Sequence, residues 1–206
     1  MSVRPLSRAL LGVALGLSLA AAAEAGPVIL CLGDSLTEGY GVDSEQAFPS
    51  VLERRLHESG HAGARVINAG ISGSTSASAV SRLRWQLRAR PDVLVLELGA
   101  NDGLRGVDLA DTRRNLDQAI ALAKSAGVKV VLAGMQLPPN YGPAYARAFQ
   151  TLFPELARAR GVALIPFLLE GVAARPELNL ADGIHPNAQG HRRVAENVLA
   201  VLLPLL

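Results

Sequence analysis

Two short segments at opposite ends of the chain carry the residue types of acyl chemistry. Gly33-Asp34-Ser35-Leu36 follows an apolar run, where a strand must turn toward a helix, so Ser35 can be presented at a sheet edge as a nucleophile. The plainer reading of the same tetrapeptide is a helix cap, because Asp and Ser after a strand often satisfy the first free amides of a helix. Near the other end, Asp182-Gly183-Ile184-His185-Pro186 sets an acid three residues before a histidine, close enough for the carboxylate to reach one ring nitrogen. The other nitrogen then faces outward, able to take a proton from a serine while the acid fixes the tautomer and steadies the imidazolium. A loop-stabilising Asp turn beside a bystander histidine is the plainer alternative.

Two further segments, Asn68-Ala69-Gly70-Ile71-Ser72-Gly73-Ser74-Thr75 and Gly99-Ala100-Asn101-Asp102, each follow an expected strand and could aim donors at one point. An oxyanion hole needs N–H groups where negative charge develops; a glycine allows close backbone approach and an asparagine amide adds a side-chain donor. Turn geometry for the glycines and an Asx turn for Asn101 are the competing explanations. A different chemistry is spelled by His57-Glu58-Ser59-Gly60-His61, which fits the H-E-x-x-H zinc pattern of metalloproteases. Gly60 and Gly63 end the helix that pattern needs, so His61 is expected off the helix and no metal is expected.

These segments have to be positioned by something. Apolar runs at Pro27–Leu32, Arg65–Asn68, Asp92–Leu98, Val128–Met135 and Val162–Pro166 alternate with stretches of helical spacing at Phe48–Ser59, Ser76–Ala89, Asp108–Ala126, Ala144–Ala159 and Ala188–Leu203. The Val28–Leu32 and Val93–Leu98 runs are continuous rather than alternating, which predicts strands covered on both faces of a parallel sheet. A three-layer α/β/α sandwich of about five strands follows. In such sheets the site collects beyond the carboxyl ends of the strands, where Gly33 to Ser35, Asn68 to Thr75, Gly99 to Gly106 and Gln136 to Gly142 fall. The loop Gln136 to Tyr145 borders the same crevice, and its Leu137, Pro139 and Tyr141 offer apolar surface for an acyl tail or, more simply, pack the loop onto the sheet.

Composition excludes several partners. Residues 1–25 read as a secretory signal: Arg4 and Arg8 precede an apolar run, and Ala23-Glu24-Ala25 is a small-x-small cleavage site. Residues 26–206 are then one domain, with no stable membrane span. The pI near 9.0 belongs partly to the leader; without Arg4, Arg8 and Glu24 the chain is nearly neutral, and no nucleic-acid footprint is expected. Cys31 is the sole cysteine, so no internal disulfide can form, and its place within a strand argues against a catalytic thiol.

The set Gly-Asp-Ser-Leu, glycine loop, Gly-x-Asn-Asp and Asp-x-x-His-Pro resembles the SGNH (GDSL) hydrolase family across essentially the whole mature chain. The segments Glu97 to Gly106 and Leu137-Pro138-Pro139-Asn140-Tyr141-Gly142 are similar to the thioesterase I, lysophospholipase L1 and arylesterase subgroup. The resemblance implies a flavodoxin-like SGNH fold and a probe-worthy set of roles: Ser35 as nucleophile, His185 as general base and acid, Asp182 as its orienter. It further implies an oxyanion hole from the Ser35 N–H, the Gly73 N–H and the Asn101 amide; Gly70 competes, but Ile-Ser-Gly aligns Gly73. Ser74 departs from the acidic residue relatives often carry there, which questions the rigidity of that loop. The activity implied is hydrolysis of carboxylic esters and acyl thioesters, lysophospholipids among them, by a cofactor-free, exported monomer. Acyl transfer, glycan O-deacetylation and noncatalytic binding on the same scaffold are the alternatives.

Overall fold

A computed structural model describes residues 26–206; the expected leader and its boundary after Ala25 lie outside the described residues. Five parallel strands form one sheet: β1 (Val28–Gly33), β2 (Arg65–Gly70), β3 (Val93–Glu97), β4 (Lys129–Ala133) and β5 (Ala163–Ile165), in spatial order β2-β1-β3-β4-β5. The two central runs are buried as their unbroken apolar character requires: Ile29 to Leu32 and all of β3 are closed to solvent. The edge strand β2 is only partly covered, and Arg65 and Asn68 are exposed.

Seven helices complete the sandwich: α1 (Ser35–Glu38), α2 (Phe48–Glu58), α3 (Ala79–Gln86), α4 (Ala100–Leu104), α5 (Leu109–Ser125), α6 (Pro143–Arg160) and α7 (Ala188–Leu202). α2 packs with α7, while α3, α5 and α6 pack side by side. Asp108 caps α5 by accepting from the Ala110 N–H at 2.8 Å, and the stripe Leu116, Ala119, Ile120 and Ala123 is buried, the face its spacing predicts.

Most element ends lie within two residues of the sequence reading, and the helices show the larger departures. The helix expected over Ser76–Ala89 is α only from Ala79 to Gln86, flanked by 3₁₀ turns at Ser76–Ser78 and Leu87–Ala89. Helix α6 starts one residue early because Pro143 supplies the preset φ of a first helical position. Helix α1 was foreshadowed only by the turn and cap at Asp34 and Ser35, and α4 was not expected, since a single turn leaves no periodicity to read. Both begin directly after a strand and carry the chemical residues.

Candidate active site

The nucleophile turn is set by buried carboxyls. Asp34 is closed to solvent and caps α1, its Oδ1 accepting from the Leu36 N–H at 3.0 Å. Ser35 is thus the first residue of a helix, whose N–H has no intrahelical partner. Glu97, fully buried at the end of β3, accepts from the Asp34 N–H at 3.1 Å and from Thr37 Oγ1 at 2.7 Å, both on Oε2. A Cβ at Gly33 would collide with Thr37 Oγ1 and Glu97 Oε2, so only glycine lets the turn close onto this carboxyl. Burial, reinforced by the charge of Asp34, raises Glu97 well above the usual carboxyl range. Burial raises Asp34 as well, against the bonds it accepts from the Leu36 N–H and the Asn101 amide.

His185 approaches from the opposite side of the sheet's carboxyl edge. The segment Asn179 to Pro186 closes on itself through a bridge between those two residues and a Leu180 N–H to His185 carbonyl bond of 2.8 Å. Inside this turn Asp182 Oδ1 accepts from the Ile184 and His185 N–H groups at 2.9 and 3.0 Å, and Oδ2 lies 2.7 Å from His185 Nδ1. These bonds, the backbone donor of His185 foremost, hold Asp182 down at about 2. A charged carboxylate at Nδ1 fixes the Nδ1–H tautomer, leaving Nε2 as acceptor for Ser35 Oγ at 3.0 Å. Tyr40, which sequence reasoning passed over, lays its ring against the imidazole with centroids 4.6 Å apart.

Asn101 ties the loop of Gly73 to the turn that carries Ser35. Asn101 lies on α4, and its Nδ2 donates to Asp34 Oδ2 and to the Ser74 carbonyl, both at 3.0 Å, so one amide ties the residue before Ser35 to the residue after Gly73. Gly73 has φ +75°, a conformation that strains residues bearing a Cβ, and its carbonyl accepts from Arg105. The loop is held despite the serine at position 74: Glu38 accepts from both the N–H and the hydroxyl of Ser72, and Asp102 binds the Ser76 N–H at 2.8 Å and its hydroxyl at 2.5 Å. Glu38, Asp102 and Glu97 are the supporting residues that sequence reasoning missed. For Glu97 a signal existed, namely a carboxyl inside an otherwise apolar strand.

The loop after β4 leans on α4. Leu137 packs against Gly103, and Tyr141 donates to the Leu104 carbonyl at 3.3 Å, while Pro139 opens the 3₁₀ turn Pro139–Tyr141. On its outer side Leu137 lines a shallow cleft of about 240 Å³ with Gln136, Pro143 and Arg147. The zinc alternative fails geometrically. Helix α2 stops at Glu58, so His61 is not one helical turn beyond His57, whose Nε2 donates to the Ala64 carbonyl at 2.8 Å. Cys31 is buried in β1 and burial pushes its thiol up, away from the reactive thiolate.

A serine, a histidine and a buried-carboxyl turn on this sheet define a class, and the chain belongs to the GDSL-like Lipase/Acylhydrolase family, whose model matches residues 31–193. Among its relatives are the esterase TesA of Pseudomonas aeruginosa, 42% identical with 96% of this chain and 98% of that protein covered, and an arylesterase of Vibrio mimicus, 40% identical over 94% and 97%. The thioesterase 1/protease 1/lysophospholipase L1 of Escherichia coli K12 is 37% identical over 89% of this chain and 87% of its own. In three dimensions the crystal structure of TesA superimposes with a TM-score of 0.84 at 43% identity, covering 87% of this chain and 99% of that one. The psychrotrophic esterase EstA from Pseudoalteromonas sp., inhibited by monoethylphosphonate, gives 0.81 at 30% identity, covering 86% and 97%.

Proposed function

We propose that the protein hydrolyses carboxylic esters and acyl thioesters through a Ser35 acyl-enzyme. The observation that supports this most is the unbroken hydrogen-bond line from Asp182 Oδ2 through both His185 nitrogens to Ser35 Oγ, at 2.7 and 3.0 Å. Ser35 Oγ attacks the carbonyl carbon as its proton passes to His185 Nε2, with Asp182 steadying the imidazolium. The developing oxyanion is received by the Ser35 N–H, the Gly73 N–H and Asn101 Nδ2. Of the two bonds Asn101 makes in the free protein, the one to the Ser74 carbonyl is the exchangeable one, because buried Asp34 depends on the other. Protonated His185 then gives its proton to the departing alcohol or thiol, and water, activated by the same nitrogen, releases the acid. The groove beside Leu137, Pro139 and Tyr141 takes the acyl tail, and lysophospholipids are among the substrates. Residues 1–25 serve as a cleaved export signal, and the mature protein acts as a monomer.

The test is reaction with an active-site phosphonate. One phosphonyl group per chain on Ser35, with complete loss of ester turnover, and a folded but inactive Ser35→Ala variant are expected. Labelling elsewhere, or near-normal turnover by that variant, would remove Ser35 from the mechanism.

A further inference from the structure

Charge is unevenly spread along the chain. Between Glu58 and Asp92 there is no carboxylate, yet Arg65, Arg82, Arg84, Arg88 and Arg90 all fall there. That stretch builds the edge strand β2, helix α3 and the 3₁₀ turn after it. Arg82 turns inward, donating to the Gly33 and Ala69 carbonyls. Arg84, Arg88 and Arg90 are exposed, and none of the ion pairs among the described residues includes them. In their midst Trp85 is 66% exposed, with the Arg88 guanidinium 4.5 Å above its ring centre. Trp85 forms one lip of a cleft of about 480 Å³, and Ile71, 55% exposed, forms the other, over a floor that includes Ala69 and Gly70. The wall of the cleft is tied to the turn that carries Ser35: the Ile71 N–H donates to the Gly33 carbonyl at 3.2 Å, two residues before that serine.

We propose that this face, Trp85 with Arg84, Arg88 and Arg90 and the neighbouring Ile71, is a docking surface for anionic phospholipid membranes. The chemistry matches in both parts. Guanidinium groups pair with lipid phosphates through parallel N–H bonds, and an indole seats at headgroup depth with its ring in the apolar zone and its N–H in the wet one. An exposed Ile71 gains from the same burial, whereas a nucleic-acid groove would use several stacking rings and has no use for an aliphatic tip. Binding is peripheral: among the described residues no helix is long and apolar enough to cross a membrane. Because the mature chain is nearly neutral, the attraction belongs to this face and not to the molecule as a whole. Docking there sets the cleft, with its Gly70–Ile71 wall, against the lipid surface. The inference does not depend on the hydrolase reading, since binding is measured without turnover.

Trp85 is the chain's single tryptophan, so its fluorescence reports on this face alone. Mature protein is mixed with vesicles of phosphatidylcholine, with or without an equal share of phosphatidylglycerol, and followed by emission wavelength and cosedimentation. Expected are a blue shift and binding with the anionic vesicles, both weakened by salt, and neither with phosphatidylcholine alone. Each arginine near an anionic surface contributes about fivefold in affinity, so Arg84→Glu with Arg88→Glu should weaken binding at least about tenfold. Trp85→Ala should weaken sedimentation as well, Arg192→Glu on α7 should not, and Ser35→Ala should bind like wild type. All these variants except Ser35→Ala should retain wild-type turnover of a soluble short-chain ester, which verifies the fold. Absence of the blue shift, an equal loss in Arg192→Glu, or displacement of the vesicles by duplex DNA at lower concentration would overturn the proposal.

Discussion

His185 and His191 flank the same asparagine, Asn187, whose side chain caps α7, and yet they are built for opposite tasks. His185 sits on a turn near solvent with an acceptor at one nitrogen and a hydroxyl donor at the other. His191 is buried in α7. Its Nδ1 accepts from the Phe48 N–H at 3.2 Å, pinning α7 to the start of α2, and its Nε2 has no protein partner. Burial, with a smaller push from His185, lowers His191 to about 4. On the proposed mechanism one imidazole gains a proton during turnover while the other stays neutral, and the difference lies in what surrounds them.

The sharpest way to break this contrast is to remove the first imidazole. His185→Ala should lower kcat/KM by about 10⁴-fold or more, since base and acid are lost together, while urea unfolding stays within about 0.5 kcal/mol of wild type. Steady-state hydrolysis of an aryl ester checks it; turnover that survives would make His185 as much a bystander to chemistry as His191. Asn101→Ala, on the donor side of the same site, should cost on the order of 3 kcal/mol, expressed in kcat. A change confined to KM would make Asn101 a ground-state binding group.

His191 answers to pH instead of substrate. Between its unfolded value near 6.5 and about 4, the unfolded chain binds a proton that the folded chain refuses, so stability falls as pH drops through that window and levels off below it. The loss should be on the order of 2 to 3 kcal/mol. Asp182 contributes in a lower window, its share being lost as pH falls from the ordinary carboxyl range toward about 2. Denaturant melts at pH 7, 5 and 4 should show the His191 slope in wild type and a flattened one in His191→Asn, whose side-chain oxygen can still accept from Phe48. Equal slopes would mean that His191 is not the group responsible. The smallest effect belongs to the loop. If it seats the acyl tail, each added methylene contributes roughly 0.8 kcal/mol at most until the groove is full. Leu137→Ala with Tyr141→Ala should flatten that chain-length profile, and a profile left unchanged would assign these side chains to packing on α4 alone.

The sequence reveals different parts of this molecule to different depths. The interior strands were legible because burial on both faces demands continuous apolar runs, and the candidate site was legible because Ser35 and Asn101 are polar residues just past strands while Asp182 and His185 show by their spacing. Helices α1 and α4 were not, since four or five residues cannot establish a period. The role of Glu97 was hidden because pairing with Asp34 is a fact of three dimensions, across strands that are far apart in sequence. The basic face of α3 was hidden by averaging: a near-neutral total conceals a stretch without carboxylates.

Ser35 and His185 are separated by 150 positions. Ser35 follows β1 directly, whereas His185 comes only after β5, so every strand of the sheet precedes it in the chain. On the proposed mechanism, a chain cut between Ile165 and Asp182 keeps the sequence of all five strands and loses the base that activates Ser35.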